Sequence, residues 1–184
     1  MAKFARRSTM ETTDVLTAAR RILKTVEFGF FVTQGETRPS VRMVGTLHID
    51  GDLRITFATS AQTRKARELR SNQTAIYSVA DIVPGDSTTG AAVCLYGTAT
   101  IDEDLSRRRS AWSAGLARWF PDGPEGSGFI LVTLTPERIE VWSVQDGIVP
   151  TPGPASAVLM RSAGGWSRPT STLPNRPRDL LPRH

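Results

Sequence analysis

Staples, metal ligands and membrane segments are scarce in this sequence. A single cysteine, Cys94, among 184 residues excludes an intramolecular disulfide framework and suits a reducing compartment. It lies in an apolar run and reads as a small core side chain. Two histidines and one cysteine give no spacing for a metal site, and no serine, histidine and carboxylate constellation can be assembled. No stretch approaches the roughly 18 apolar residues of a membrane span. Arg6-Arg7 is followed by Glu11, Thr12, Thr13 and Asp14 rather than an apolar segment, so no export signal is expected and a cytoplasmic location is. A net charge of +5 with pI near 10.1 permits attraction to anions, but the charge is dispersed, so nucleic acid is not an expected partner.

The length suits one domain with a sizeable core. Composition divides the chain into a folded part, 1–148, and an extension, 149–184. Seven of the twelve prolines fall between Pro150 and Pro182, leaving room for an edge hairpin at 157–166 and a mobile tail beyond Ser167. Within the first part, Val15, Leu16, Ala19, Ile22, Leu23 and Val26 recur at helical spacing, with Thr12 or Thr13 as cap. Strands are predicted at 28–33, 39–49, 53–59, 74–80, 91–101, 129–135 and 138–143, the last two split by a Pro136-Glu137 turn. Along 39–49, Val41, Met43, Leu47 and Ile49 share one face, read as core, while Arg42, Val44, Thr46 and His48 share the other. Asp50-Gly51 predicts a tight turn into the next strand. A helix is predicted from Thr63 to Ser71, and another from Asp102 to Trp119 with the stripe Leu105, Trp112, Leu116, Trp119. Antiparallel strands with a few helices argue for a mainly β barrel with helical additions.

The stretch 38–70 carries the chemistry. Arg42 offers a planar fork from a strand. Arg64 and Lys65 stand in the first turn of a helix, where free N–H groups and the dipole favour an anion, and Thr63 can add a hydroxyl. Together they suit a phosphate monoester. The competing reading pairs Arg64 with Glu68 at i,i+4 as a surface ion pair. His48 shares the Arg42 face but lies roughly 20 Å along the strand, far from a phosphate.

Arg42-Met43-Val44, the Asp50-Gly51 hairpin, Thr59 and Thr63-Arg64-Lys65, running on through Arg67-Glu68-Leu69 to Asn72, resemble the flavin-binding signature of the pyridoxamine 5'-phosphate oxidase family. The resemblance spans roughly 15–143. It implies a split β-barrel that binds flavin mononucleotide (FMN) in a homodimer with cofactor sites at the subunit interface. It also implies that Arg42, Arg64 and Lys65, aided by Thr63 and Thr59, hold the cofactor phosphate. Backbone around Met43 and Val44 would line the isoalloxazine, and Trp142 would stand beside the flavin. The chain departs from the true oxidases at Leu47, Ala58 and Ala92, and at Val144-Gln145-Asp146-Gly147, where an arginine-x-histidine element is missing. Trp119-Phe120-Pro121-Asp122-Gly123 instead resembles the general stress protein branch. The expectation is an FMN-binding oxidoreductase-like protein acting on a small redox substrate, with no catalytic side chain assigned. The alternatives are a deazaflavin- or haem-binding barrel and a non-catalytic flavin-binding protein.

Overall fold

The computed structural model describes residues 11–83, 85–86, 89–148 and 158–169. Pro84 and Ser87 of one expected loop, and nearly all of the tail expected beyond Ser167, lie outside them. Helix α1, Thr12–Thr25, buries Val15, Ala18, Ala19, Ile22 and Leu23. Its cap is Glu11 rather than either threonine: the Glu11 carboxylate accepts from the Asp14 amide, and the Asp14 carboxylate accepts from the Glu11 amide at 3.3 Å. Two acidic groups at the positive end of the helix dipole serve better there than a neutral hydroxyl.

The strands are β1 (Phe28–Gln34), β2 (Pro39–Gly45), β3 (His48–Ile49), β4 (Ile55–Ser60), β5 (Thr74–Asp81), β6 (Ala91–Asp102), β7 (Phe129–Ser143), β8 (Val158–Ser162) and β9 (Gly165–Ser167). Helix α2 covers Arg64–Ser71 and α3 covers Leu105–Ala111. The sheet is antiparallel, in the order β2-β1-β5-β6-β7-β4-β3, with the β8–β9 hairpin added at β7. Inside lie Phe31, Phe57, Tyr77, Leu95, Leu134 and Ile139, all essentially without solvent contact. Phe31 meets Phe57 edge to face at 4.8 Å. No helix among the described residues is long and apolar enough to cross a membrane.

The predicted strand 39–49 is two strands, and the break between them closes the barrel. β2 pairs with β1, whereas β3 pairs with β4. At the bend the Thr46 amide donates to the Glu27 carbonyl and the Leu47 amide to the Thr56 carbonyl, both at 2.9 Å. One segment thereby serves both edges of the sheet. The bend also overturns the expected faces. On β2 the interior belongs to Arg42 and to Val44, 7% exposed, while Val41 and Met43 point outward, 60% and 64% exposed. After the bend Ile49 packs against the core and His48 is exposed. Alternation survives within each piece; the two-residue irregularity resets which parity is inside. With Phe28 and Phe30, about half exposed, Val41 and Met43 make the outer face of β1–β2 apolar. Cys94 is half-buried, hydrogen-bonded to Ser78, rather than in the core.

Three further expectations are corrected. β7 is one strand of 15 residues, not two split by a turn. Its register shifts at Tyr96/Gly97, where Tyr96 faces Arg138 and Gly97 faces Pro136. A bulge leaves one residue unpaired, so Pro136 sits in the sheet without disrupting it. The turn after β3 has its left-handed residue at Leu53 (φ 63), not at a glycine. Full burial of the Leu53 side chain offsets that strain, and the Asp50 carboxylate fixes the turn by accepting from the amides of Asp52 and Arg54, each at 2.9 Å. Finally, α3 stops at Ala111, and a single 3-10 turn, Ala114–Leu116, follows. The chain wraps around Phe129 instead, which receives the rings of Trp112 at 5.3 Å and Phe120 at 4.8 Å. Buried Arg108 ties that wrap to α3 by donating to the carbonyls of Gly126 and Phe129. Leu105 and Trp119 of the expected stripe are left exposed, Trp119 at 66%.

Candidate functional site

Helix α2 packs across one end of the barrel on Ala66 and Leu69. Its N-terminus is set by Thr63, whose hydroxyl accepts from the Ala66 amide at 3.4 Å and donates to the Ser60 carbonyl at 2.8 Å. With that proton committed, Thr63 acts mainly by orienting the first turn. The first-turn amides have no intrahelical acceptor. Arg64 projects from this turn and is 65% exposed. Lys65 turns the other way, toward the barrel, and donates to the buried Thr59 hydroxyl at 2.8 Å.

Arg42 arrives from β2 at the same barrel end, but its charge is already matched. Its guanidinium bonds the Glu68 carboxylate at 2.7 Å and the Thr33 hydroxyl at 2.5 Å, with only 16% and 11% of the Arg42 and Glu68 side chains exposed. The Glu68 carboxylate also accepts from Thr33, from Ser40 at 2.9 Å, and lies 3.5 Å from the Arg64 Nε. The expected Arg64–Glu68 pair is therefore present as the weakest member of a larger network. Burial by itself would raise the Glu68 carboxyl; the hydrogen bonds from Thr33, Ser40 and Arg42, with the Arg42 charge, outweigh it and hold the group below its ordinary value.

Glu68 is the residue the sequence reading missed, seen only as the partner of Arg64. Thr33, Ser40 and Arg42 meet on interior positions only once β1 and β2 pair, and buried polar groups require a partner.

Lys65 is the charge left over. It is half-buried, and among the described residues no carboxylate lies within ion-pair distance of it. Burial, and then the nearby Arg42 cation, depress its ammonium below the ordinary lysine value. An ammonium in that state gains more from a bound anion than an exposed one does, because little water competes. The donor set fits a phosphate: beyond the Lys65 bond to Thr59 and the long Arg64 contact to Glu68, both cations keep donors to spare at the start of α2. Were a phosphate ester held there, Lys65 would give its binding a pH signature. Its depressed ammonium means that a bound dianion takes up a proton above the free-state Lys65 value. Affinity should hold steady on the acid side of that value and fall as pH rises through it toward the ordinary 10.5. Titration of the wild type and Lys65→Arg across pH 7 to about 11 checks this, the arginine variant showing no such fall because guanidinium stays charged.

The other sequence candidates are separated by the fold. Met43 is on the exposed outer face and the Val44 side chain is buried. Trp142 lies on β7 beside Ala92, its ring against Gly90, whereas Thr59 pairs with Ile130 near the start of β7. The two pairings stand twelve residues apart along β7.

Residues 14–152 match the family model described as pyridoxamine 5'-phosphate oxidase like. The chain belongs to the pyridoxamine 5'-phosphate oxidase-like family. The split barrel has solved counterparts. A protein related to general stress protein 26 of B. subtilis, from Clostridium acetobutylicum, is similar with a TM-score of 0.62 at 20% identity, over 73% of this chain and 92% of that one. A heme binding protein from Mycobacterium smegmatis gives 0.57 at 20% identity, over 75% and 55%. An FAD-binding protein from Mesorhizobium loti gives 0.52 at 16% identity, over 66% and 87%. At these identities the likeness establishes the fold. Among curated proteins, none matches the chain significantly.

Proposed function

We propose that the protein binds FMN at the start of α2 and acts as a cytoplasmic, homodimeric flavin-dependent oxidoreductase on a small redox substrate. The observation that carries the reading is Lys65: a half-buried ammonium with a hydroxyl partner and, among the described residues, no carboxylate partner, beside the exposed Arg64 at a helix N-terminus. The donors suit a phosphate monoester, and the family resemblance supplies the rest of the cofactor. Bound flavin would supply hydride or electron transfer. The chain's own residues bind and orient: Lys65 and Arg64 hold the phosphate, Thr59 fixes the Lys65 ammonium, Thr63 aims the amides, and Glu68 keeps Arg42 in place behind them.

One feature supports the homodimer. The outer face of β1–β2 presents Phe28, Phe30, Val41 and Met43 to solvent, an apolar surface of the kind that partners cover. Sedimentation with and without FMN tests this, a dimer being expected in both.

Removing both cations, Arg64→Ala with Lys65→Ala, should weaken FMN binding by about 2–4 kcal/mol, since charge-assisted hydrogen bonds contribute about 1.5–3 kcal/mol each and Arg64 is partly screened. Quenching of flavin fluorescence during titration measures it; affinity equal to wild type would remove the site assignment.

A further inference from the structure

The β1–β2 turn and α2 line a cavity of about 700 Å³ that is open to solvent. That is within the range of small-molecule sites, about 300–1,000 Å³. Arg38 comes from the turn, and Arg64 and Arg67 come from the helix, with Gln34, Thr37 and Asn72 adding neutral polar groups. Two carboxylates share the wall, Glu36 and Glu68. The Glu68 charge is taken by Arg42 from behind, so the three lining guanidinium groups face Glu36 as the uncompensated acid. Arg67 uses one nitrogen on the Gln62 carbonyl at 3.0 Å, which leaves the rest of its fork for a ligand. The turn itself is braced, because the Gly35 amide donates to the Arg38 carbonyl at 3.2 Å.

Arg64 lines this cavity and also stands at the α2 start. We infer that the cavity is a second anion subsite, joined to the phosphate cradle through Arg64, which receives a further anionic group carried by the cofactor beyond its first phosphate. This rests on the proposed flavin site. FMN ends at that first phosphate. A flavin continued by a second phosphate and a nucleoside would reach Arg38 and Arg67, and FAD is the available probe.

The experiment titrates FMN and FAD into the wild type, Arg38→Glu and Glu36→Gln, all exposed turn positions where substitution disturbs folding little. Arg38→Glu should weaken FAD at least tenfold while leaving FMN within twofold. Glu36→Gln should tighten FAD two- to threefold with FMN again unmoved. Equal effects on the two flavins, or wild-type protein that takes FMN and rejects FAD, would overturn the subsite and leave the FMN site standing. Binding of neither flavin would overturn both. ADP binding to FMN-loaded protein in an Arg38-dependent way, with FAD no better than FMN, would assign the cavity to a separate anionic ligand and overturn the cofactor extension.

Discussion

Glu68→Gln is expected to lower stability by about 3 kcal/mol, because removing one partner of a buried ion pair leaves the other charge stranded. The side chains of Arg42 and Glu68 are 16% and 11% exposed, so solvent cannot take over the role of the lost carboxylate. Glutamine keeps the size and one acceptor, which isolates the charge from the packing. The same network makes a pH statement. Glu68 is held below its ordinary value, so its contribution is complete above about 4.5, the unfolded value, and is lost as pH falls through the native one. Urea midpoints at pH 7 and in the acid range check both parts. Wild type and Glu68→Gln should converge as pH drops, and adding Arg42→Met to Glu68→Gln should recover much of the loss by removing the stranded charge. A midpoint at pH 7 unchanged by Glu68→Gln would mean that the pair is not the keystone of the α2 end of the barrel.

Gly97→Ala is expected to cost about 4 kcal/mol or to prevent folding, placing it in the tail of single-substitution effects. A methyl on Gly97 would stand 2.0 Å from the Thr135 carbonyl oxygen and 2.9 Å from the Pro136 Cα. Both are backbone, so no rotamer change relieves the clash. Pro136 cannot move away easily either, since it occupies the bulge that keeps the rest of β7 in register with β6. Gly51→Ala, with no neighbour within 4 Å of the added methyl, is the control and should unfold within about 0.5 kcal/mol of wild type. Thermal or urea unfolding of the two variants makes the comparison. Equal stabilities would show that the β6–β7 bulge yields more readily than its geometry suggests.

What the sequence revealed and what it hid follow from range. The α1 stripe, the β1–β2 and β5–β6 strands and the Thr63 cap rest on neighbours within a few residues, and periodicity reads such patterns directly. Strand faces need one more fact, which parity points inward, and at Thr46–Leu47 that is decided by where β4 lies. Pro136 looked like a stop because proline breaks an isolated strand; only the opposing Gly97, 39 positions earlier in the chain, makes room for a bulge. The α3 stripe failed for the same reason, since Phe129 draws Trp112 and Phe120 out of helical register. At the candidate site, Lys65 and Arg64 were legible from their place in a helix first turn. The Glu68 network was not, because its members, Thr33, Ser40, Arg42 and Glu68, come from three elements.

We propose that this barrel holds a flavin by its phosphate. The visible absorption spectrum of the purified protein, taken before and after incubation with FMN and desalting, tests it most directly. Wild-type protein should carry flavin absorption bands that co-elute with it and that are lost when Arg64 and Lys65 are both alanine. A Soret band, or a colourless protein that emerges from FMN without flavin, would contradict it.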